Sequence, residues 1–132
     1  MPVRSLSSRV LRWPNREAVT AAARDWAKEV ARKRPEVLRV GYFGSCARGD
    51  WGVGSDLDLV VVVESSAVPF ERRGVGFDIT SLPVPADLLV YTEAEWQALK
   101  GQPGFGRRLS HEVVWLWQRL QPPSSSNPRS AK

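Results

Sequence analysis

The sequence predicts an α/β (α+β) domain: a mixed sheet of about four strands with helices packed on it. Three observations point there. At 132 residues the chain suits one compact core, with 42% hydrophobic and 25% charged residues. Segments with helical spacing alternate with short runs rich in β-branched residues. One of those runs, "DLDLVVVV" (56–63), is long and apolar enough for a strand covered on both faces.

The elements follow in order. Asn15 caps a helix to about Arg34, whose apolar face is Val19, Ala22, Ala23, Trp26, Ala27 and Val30, and Pro35 ends it. "VLRVGYF" (37–43) reads as a strand. Gly44-Ser45 breaks it, Cys46 to Asp50 start a short helix, and "WGVGS" is a loop before the strand at 56–63. Residues 65–85 hold three prolines and read as loop, with one helical turn near Phe70. "ADLLVYT" is a third strand. "TEAEWQALK" is a helix with Thr92 as cap and Glu95 at the capping-box position. "GQPG" turns the chain, Gly106 to Ser110 form a helical turn, and "EVVWLWQRL", where Trp115 and Trp117 alternate, reads as an edge strand. The domain is expected over 15–120, with an N-terminal segment at 1–14 and a disordered, low-complexity tail at 121–132.

Bulk properties exclude some classes. No run reaches the roughly 18 apolar residues of a membrane span, and the first residues lack an apolar signal core. A single cysteine, Cys46, forms no internal disulfide, which fits a cytoplasmic location. The net charge of +5 suits an anionic partner, although a merely solvated basic surface fits as well, and no motif supports nucleic acid specifically.

The chemistry concentrates in "GSCARGDWGVGSDLDLVV" (44–61). Asp56 and Asp58 stand two apart on a strand, so their carboxylates share a face roughly 7 Å apart. Side by side they repel, and a divalent cation removes that cost. Alone, Asp-x-Asp is ordinary and both residues can simply face water. Here Gly44-Ser45 precedes it by eleven residues, at a strand-to-helix turn where backbone N–H groups favour anions. Arg48 one turn on, and Ser55 just before the aspartates, are further candidate contacts to a phosphate.

This stretch resembles the signature of the nucleotidyltransferase superfamily that includes DNA polymerase β, and most closely its minimal nucleotidyltransferases. The resemblance implies the polymerase-β-like fold. It implies that Gly44 and Ser45 hold a triphosphate and that Asp56 and Asp58 bind two Mg²⁺ ions. "ARG" at 47–49 matches as well. The family's third carboxylate lies on a later strand. Asp87 in "ADLLVYT" is preferred to Asp78 in "GFDIT", because it opens an apolar strand. The implied reaction transfers a nucleoside monophosphate, AMP from ATP first, to an acceptor hydroxyl, with Asp87 as general base. Larger family members carry an acceptor-binding helical domain. Its absence here implies an acceptor in trans, such as a HEPN-type partner protein in a toxin–antitoxin pair. A non-catalytic module that binds nucleotide, RNA or a partner is the alternative. An antibiotic-modifying adenylyltransferase is a weaker option, because no acceptor pocket is legible.

Other residues read as structural. His111 lacks a ligand or triad context. Cys46 reads as a small buried residue. Trp26, Trp96, Trp115 and Trp117 read as core, and Trp51 as packing against its loop or stacking on a base. Arg72, Arg73, Arg107 and Arg108 read as a solvated basic face.

Overall fold

A computed structural model describes residues 13–119. The expectations for the N-terminal segment (up to residue 12) and for the tail at 121–132 lie outside the described residues. The order is α1 (Arg16–Lys33), β1 (Val37–Phe43), α2 (Ser45–Arg48), β2 (Leu57–Val63), a 3-10 helix (Phe70–Gly76), β3 (Ala86–Thr92), α3 (Glu93–Lys100), α4 (Phe105–Glu112) and β4 (Val114–Gln118). The sheet has four strands in the order β3-β2-β1-β4. β1 pairs antiparallel with β2 and with β4, while β2 and β3 run parallel. The sheet is therefore mixed, and β4 is an edge strand.

Local chemistry explains most boundaries. The Asn15 side chain accepts the Ala18 N–H at 2.8 Å and starts α1. Thr92 and Glu95 form a reciprocal capping box at the start of α3. Several boundaries differ from expectation: the strand expected from Glu112 begins only at Val114, with Glu112 still in α4, and the short helix expected over 46–50 is Ser45–Arg48. The predicted turn at 106–110 is a two-turn helix, α4, entered through Gly104 at φ 78°. Strand β2 begins at Leu57, so Asp56 sits just before the strand instead of on it.

The strand β2 divides its side chains between two cores, as its period of two demands. Leu57, Leu59, Val61 and Val63 face α1, packing with Val19, Ala23, Trp26, Ala27 and Val30. Val60 and Val62 face the other way, against Trp96 of α3 and Leu109 of α4. The sheet is thus sandwiched, with α1 on one face and α3 and α4 on the other. Ala22, expected on the apolar face of α1, is only half-buried, because it sits at the rim of that face. Trp26 and Trp96 are buried, whereas Trp115 and Trp117 on the edge strand are half-covered.

Arg73 corrects the expectation of a solvated basic face. Its side chain is only 9% exposed and forks onto both carboxylate oxygens of Glu95, at 2.6 and 3.1 Å. It also donates to the carbonyls of Val68 (2.7 Å) and Val90 (3.2 Å). The Val90 contact ties the 3-10 segment to strand β3. Arg72, Arg107 and Arg108 are exposed, as expected. Replacing Arg73 by Ala is expected to cost about 2 kcal/mol, because the carbonyl of buried Val90, the Val68 carbonyl and the Glu95 carboxylate all lose their donor. Denaturant unfolding measures it. The hydrogen bond from Arg73 holds the Glu95 carboxyl below its ordinary value. Folded Glu95 thus binds protons less readily than unfolded, so its contribution is full above the ordinary carboxylate pKa. It fades as pH falls through the lowered one, and that acid-side loss should be smaller in Arg73→Ala.

Candidate active site

The site lies at the end of the sheet where β1 leaves and β2 and β3 begin. β1 ends at Phe43, and Gly44 turns the chain at φ 78°, ψ −150°, a region essentially restricted to glycine. Closeness is a second reason for glycine there. A Cβ on residue 44 would lie 2.2 Å from an Asp58 carboxylate oxygen. The Gly44 carbonyl accepts the Arg48 N–H (2.9 Å), and the Ser45 carbonyl accepts Gly49 (3.0 Å) and Asp50 (2.9 Å), which winds the short α2.

Strand register sets the carboxylates. Asp58 is the Cα partner of Phe43 on β1 and of Asp87 on β3. Asp58 therefore shares a face with Val60 and Val62, and Asp87 falls on the same face, toward α3 and α4. Burial pushes the half-buried Asp58 carboxyl up, and the charges of Asp87, then Asp56, push it the same way. Asp78 is elsewhere. Its side chain accepts from the Thr80 N–H (2.9 Å) and hydroxyl (2.6 Å), and its carbonyl takes the Trp26 indole N–H (2.7 Å). Between the two candidates, the sheet places Asp87 beside Asp58.

Ser55 closes the turn before the aspartates, its hydroxyl accepting the Gly52 N–H at 3.0 Å. Arg48 is half-exposed and pairs with Asp50 at 3.2 Å. Trp51 donates its indole N–H to the Pro14 carbonyl at 2.9 Å and packs against the α1-side core, which anchors the loop. Cys46 is fully buried, and burial pushes its thiol up. His111 is exposed.

Glu112 is a site residue that motif reading missed. It ends α4, accepts the Gly44 N–H and lies 3.3 Å from Arg48. Its sixty-eight-residue separation from Gly44 hides it from any local pattern.

The donor chemistry fits a hard cation, because carboxylate oxygens on adjoining strands suit Mg²⁺. The upward push of the Asp87 and Asp56 charges on Asp58 is a cost such a cation relieves. Among the described residues, no group of three His, Cys, Asp or Glu is already gathered to hold a metal.

A mixed sheet sandwiched by helices, with a Gly-Ser turn facing carboxylates on neighbouring strands, defines a class of α+β nucleotide-handling domains. The chain belongs to the nucleotidyltransferase domain family, whose pattern matches residues 24–110. It is similar in structure to a nucleotidyltransferase candidate from Sulfolobus solfataricus, with TM-score 0.60 and 25% identity, over 79% of this chain and 84% of that one. A toxin–antitoxin structure with AMP-PNP matches at TM-score 0.46 and 14% identity, over 74% of each chain, too distant to argue from. No curated protein matches the sequence. Among the described residues no helix is long and apolar enough to cross a membrane.

Proposed function

We propose that this nucleotidyltransferase moves a nucleoside monophosphate, AMP from ATP first, onto an acceptor hydroxyl and releases pyrophosphate. The observation that carries the reading is the register that pairs Asp58, whose carboxylate lies against Gly44, with Asp87 on β3. In this reading Asp56, Asp58 and Asp87 would hold Mg²⁺, up to two ions. When bound, Mg²⁺ supplies charge neutralisation on the triphosphate and on the leaving oxygen. The Gly44 amide, the Ser45 hydroxyl and Arg48 take the β- and γ-phosphates. Ser55 shapes the turn that delivers Asp56. Asp87, exposed at the start of β3, accepts the proton of the attacking hydroxyl. The new bond forms from the acceptor oxygen to the α-phosphorus as the bond to the bridging α,β-oxygen breaks.

The acceptor in this reading is a separate protein of the HEPN type, acting with this chain as a toxin–antitoxin pair in the cytoplasm. The family resemblance supports that step. The test is isothermal titration of ATP, GTP, CTP and UTP with and without Mg²⁺, on wild type and Asp56→Asn. Mg²⁺-dependent binding that the variant loses supports the site. Absence of binding by every triphosphate favours the non-catalytic module. Transfer of label from α-labelled ATP to a co-expressed helical partner tests the acceptor.

A further inference from the structure

The Gly44 N–H and the Arg48 guanidinium are the donors assigned above to incoming phosphate, and a carboxylate already holds both. Glu112 accepts the Gly44 N–H, and its two oxygens lie 3.4 and 3.3 Å from Arg48 Nη1. Its side chain is 22% exposed. With Gly44, Arg48, Asp58, Phe105 and Arg108 it lines a cavity of about 240 Å³.

We propose that Glu112 is a gate on the triphosphate site, a stand-in anion that a polyphosphate must displace. The inference rests on the reading of Gly44 and Arg48 as phosphate contacts. One N–H cannot serve a carboxylate and a phosphate oxygen together, and Arg48 already carries Asp50 on Nε, so a phosphate beside Glu112 would be a third anion on one guanidinium. The binding-competent state is then the fraction of molecules in which Glu112 has left Gly44. Apparent affinity falls by that fraction. Leaving requires only side-chain rotation, because Glu112 is the last residue of α4 and Val113 after it is already extended. A ligand must bring enough negative charge to outcompete the carboxylate. Glu112 thereby lowers the affinity of every ligand that needs the Gly44 and Arg48 donors and leaves a ligand that does not need them unaffected; it is a positioning residue, with no part in bond making.

The test titrates Mg²⁺ with ATP, with inorganic tripolyphosphate and with adenosine into wild type, Glu112→Gln and Asp58→Asn. Glutamine keeps the shape and removes the charge. The gate requires Glu112→Gln to bind ATP and tripolyphosphate about tenfold tighter, a difference of about 1.4 kcal/mol, with adenosine binding unchanged. Glu112→Ala must show the same gain, which covers a glutamine variant that folds poorly. Equal or weaker ATP binding in both variants overturns the gate. So does an equal gain for adenosine, which would mean general loosening. If wild type binds MgATP and Asp58→Asn does not, while Glu112→Gln and Glu112→Ala match wild type, the phosphate-site reading stands and only the gate falls. If no triphosphate binds any of the proteins, both fall.

Discussion

Asp58→Asn is expected to end nucleotidyl transfer and, at the same time, to stabilise the ligand-free protein. The first effect follows from the proposed role. Losing a central metal-holding carboxylate removes several kcal/mol of transition-state stabilisation, and each 1.36 kcal/mol is about a decade in rate. A fall in turnover of about 10³-fold or more is therefore expected. The second effect follows from electrostatics already visible. Burial and the charges of Asp87 and Asp56 raise the Asp58 carboxyl above its ordinary value of 3.8. The folded state then holds that proton more tightly than the unfolded chain. Stability falls as pH rises from the ordinary value through the raised one, and stays lower at neutral pH. Asparagine is neutral throughout, so at neutral pH the variant should melt higher than wild type and lose this part of the pH dependence. Mg²⁺ should raise the wild-type Tm more than that of Asp58→Asn. Retained turnover would remove Asp58 from the mechanism. A lower Tm would show that its attraction to Arg48 outweighs its repulsion.

Gly44→Ala is expected to damage fold and site together. The backbone at φ 78°, ψ −150° costs a non-glycine residue about 1–3 kcal/mol. The added Cβ would also overlap the Asp58 carboxylate at 2.2 Å, so either Asp58 or the turn must move. A total loss of about 2–4 kcal/mol in denaturant unfolding is expected, with loss of Mg²⁺-dependent ATP binding. A double-mutant cycle separates the causes. In an Asp58→Ala background the nearest obstacle becomes the residue 58 Cβ at 3.4 Å, an ordinary contact. Gly44→Ala should then cost only its backbone strain, and the two changes should be clearly non-additive. Additivity would show that the turn, and not the carboxylate, sets the need for glycine.

Much of this molecule is readable along the chain. Asn15 and Pro35 bracket α1, Thr92 with Glu95 starts α3, and the β-branched run places β2, because caps, prolines and side-chain periods act over a few residues. The Gly-Ser turn and the Asp-x-Asp pair were legible for the same reason. Arg73 was not. An Arg-Arg dipeptide looks like a surface pair, and only Glu95, twenty-two residues on, makes one of the two a buried clamp.

What the sequence determined by itself is most of the elements and the local Gly-Ser and Asp-x-Asp motif; the positive φ and the neighbouring carboxylate that demand glycine before Ser45 came from the structure. Tertiary structure alone decided how the carboxylates combine. Asp58 meets Asp87 because β2 and β3 pair in parallel register, and Asp78 is drawn off to Thr80 and Trp26. Glu112 reaches Gly44 because α4 packs on the sheet face that carries Asp58. These are contacts between residues far apart in the chain. Strand register and helix docking set them, and neither is written in the spacing of neighbouring residues.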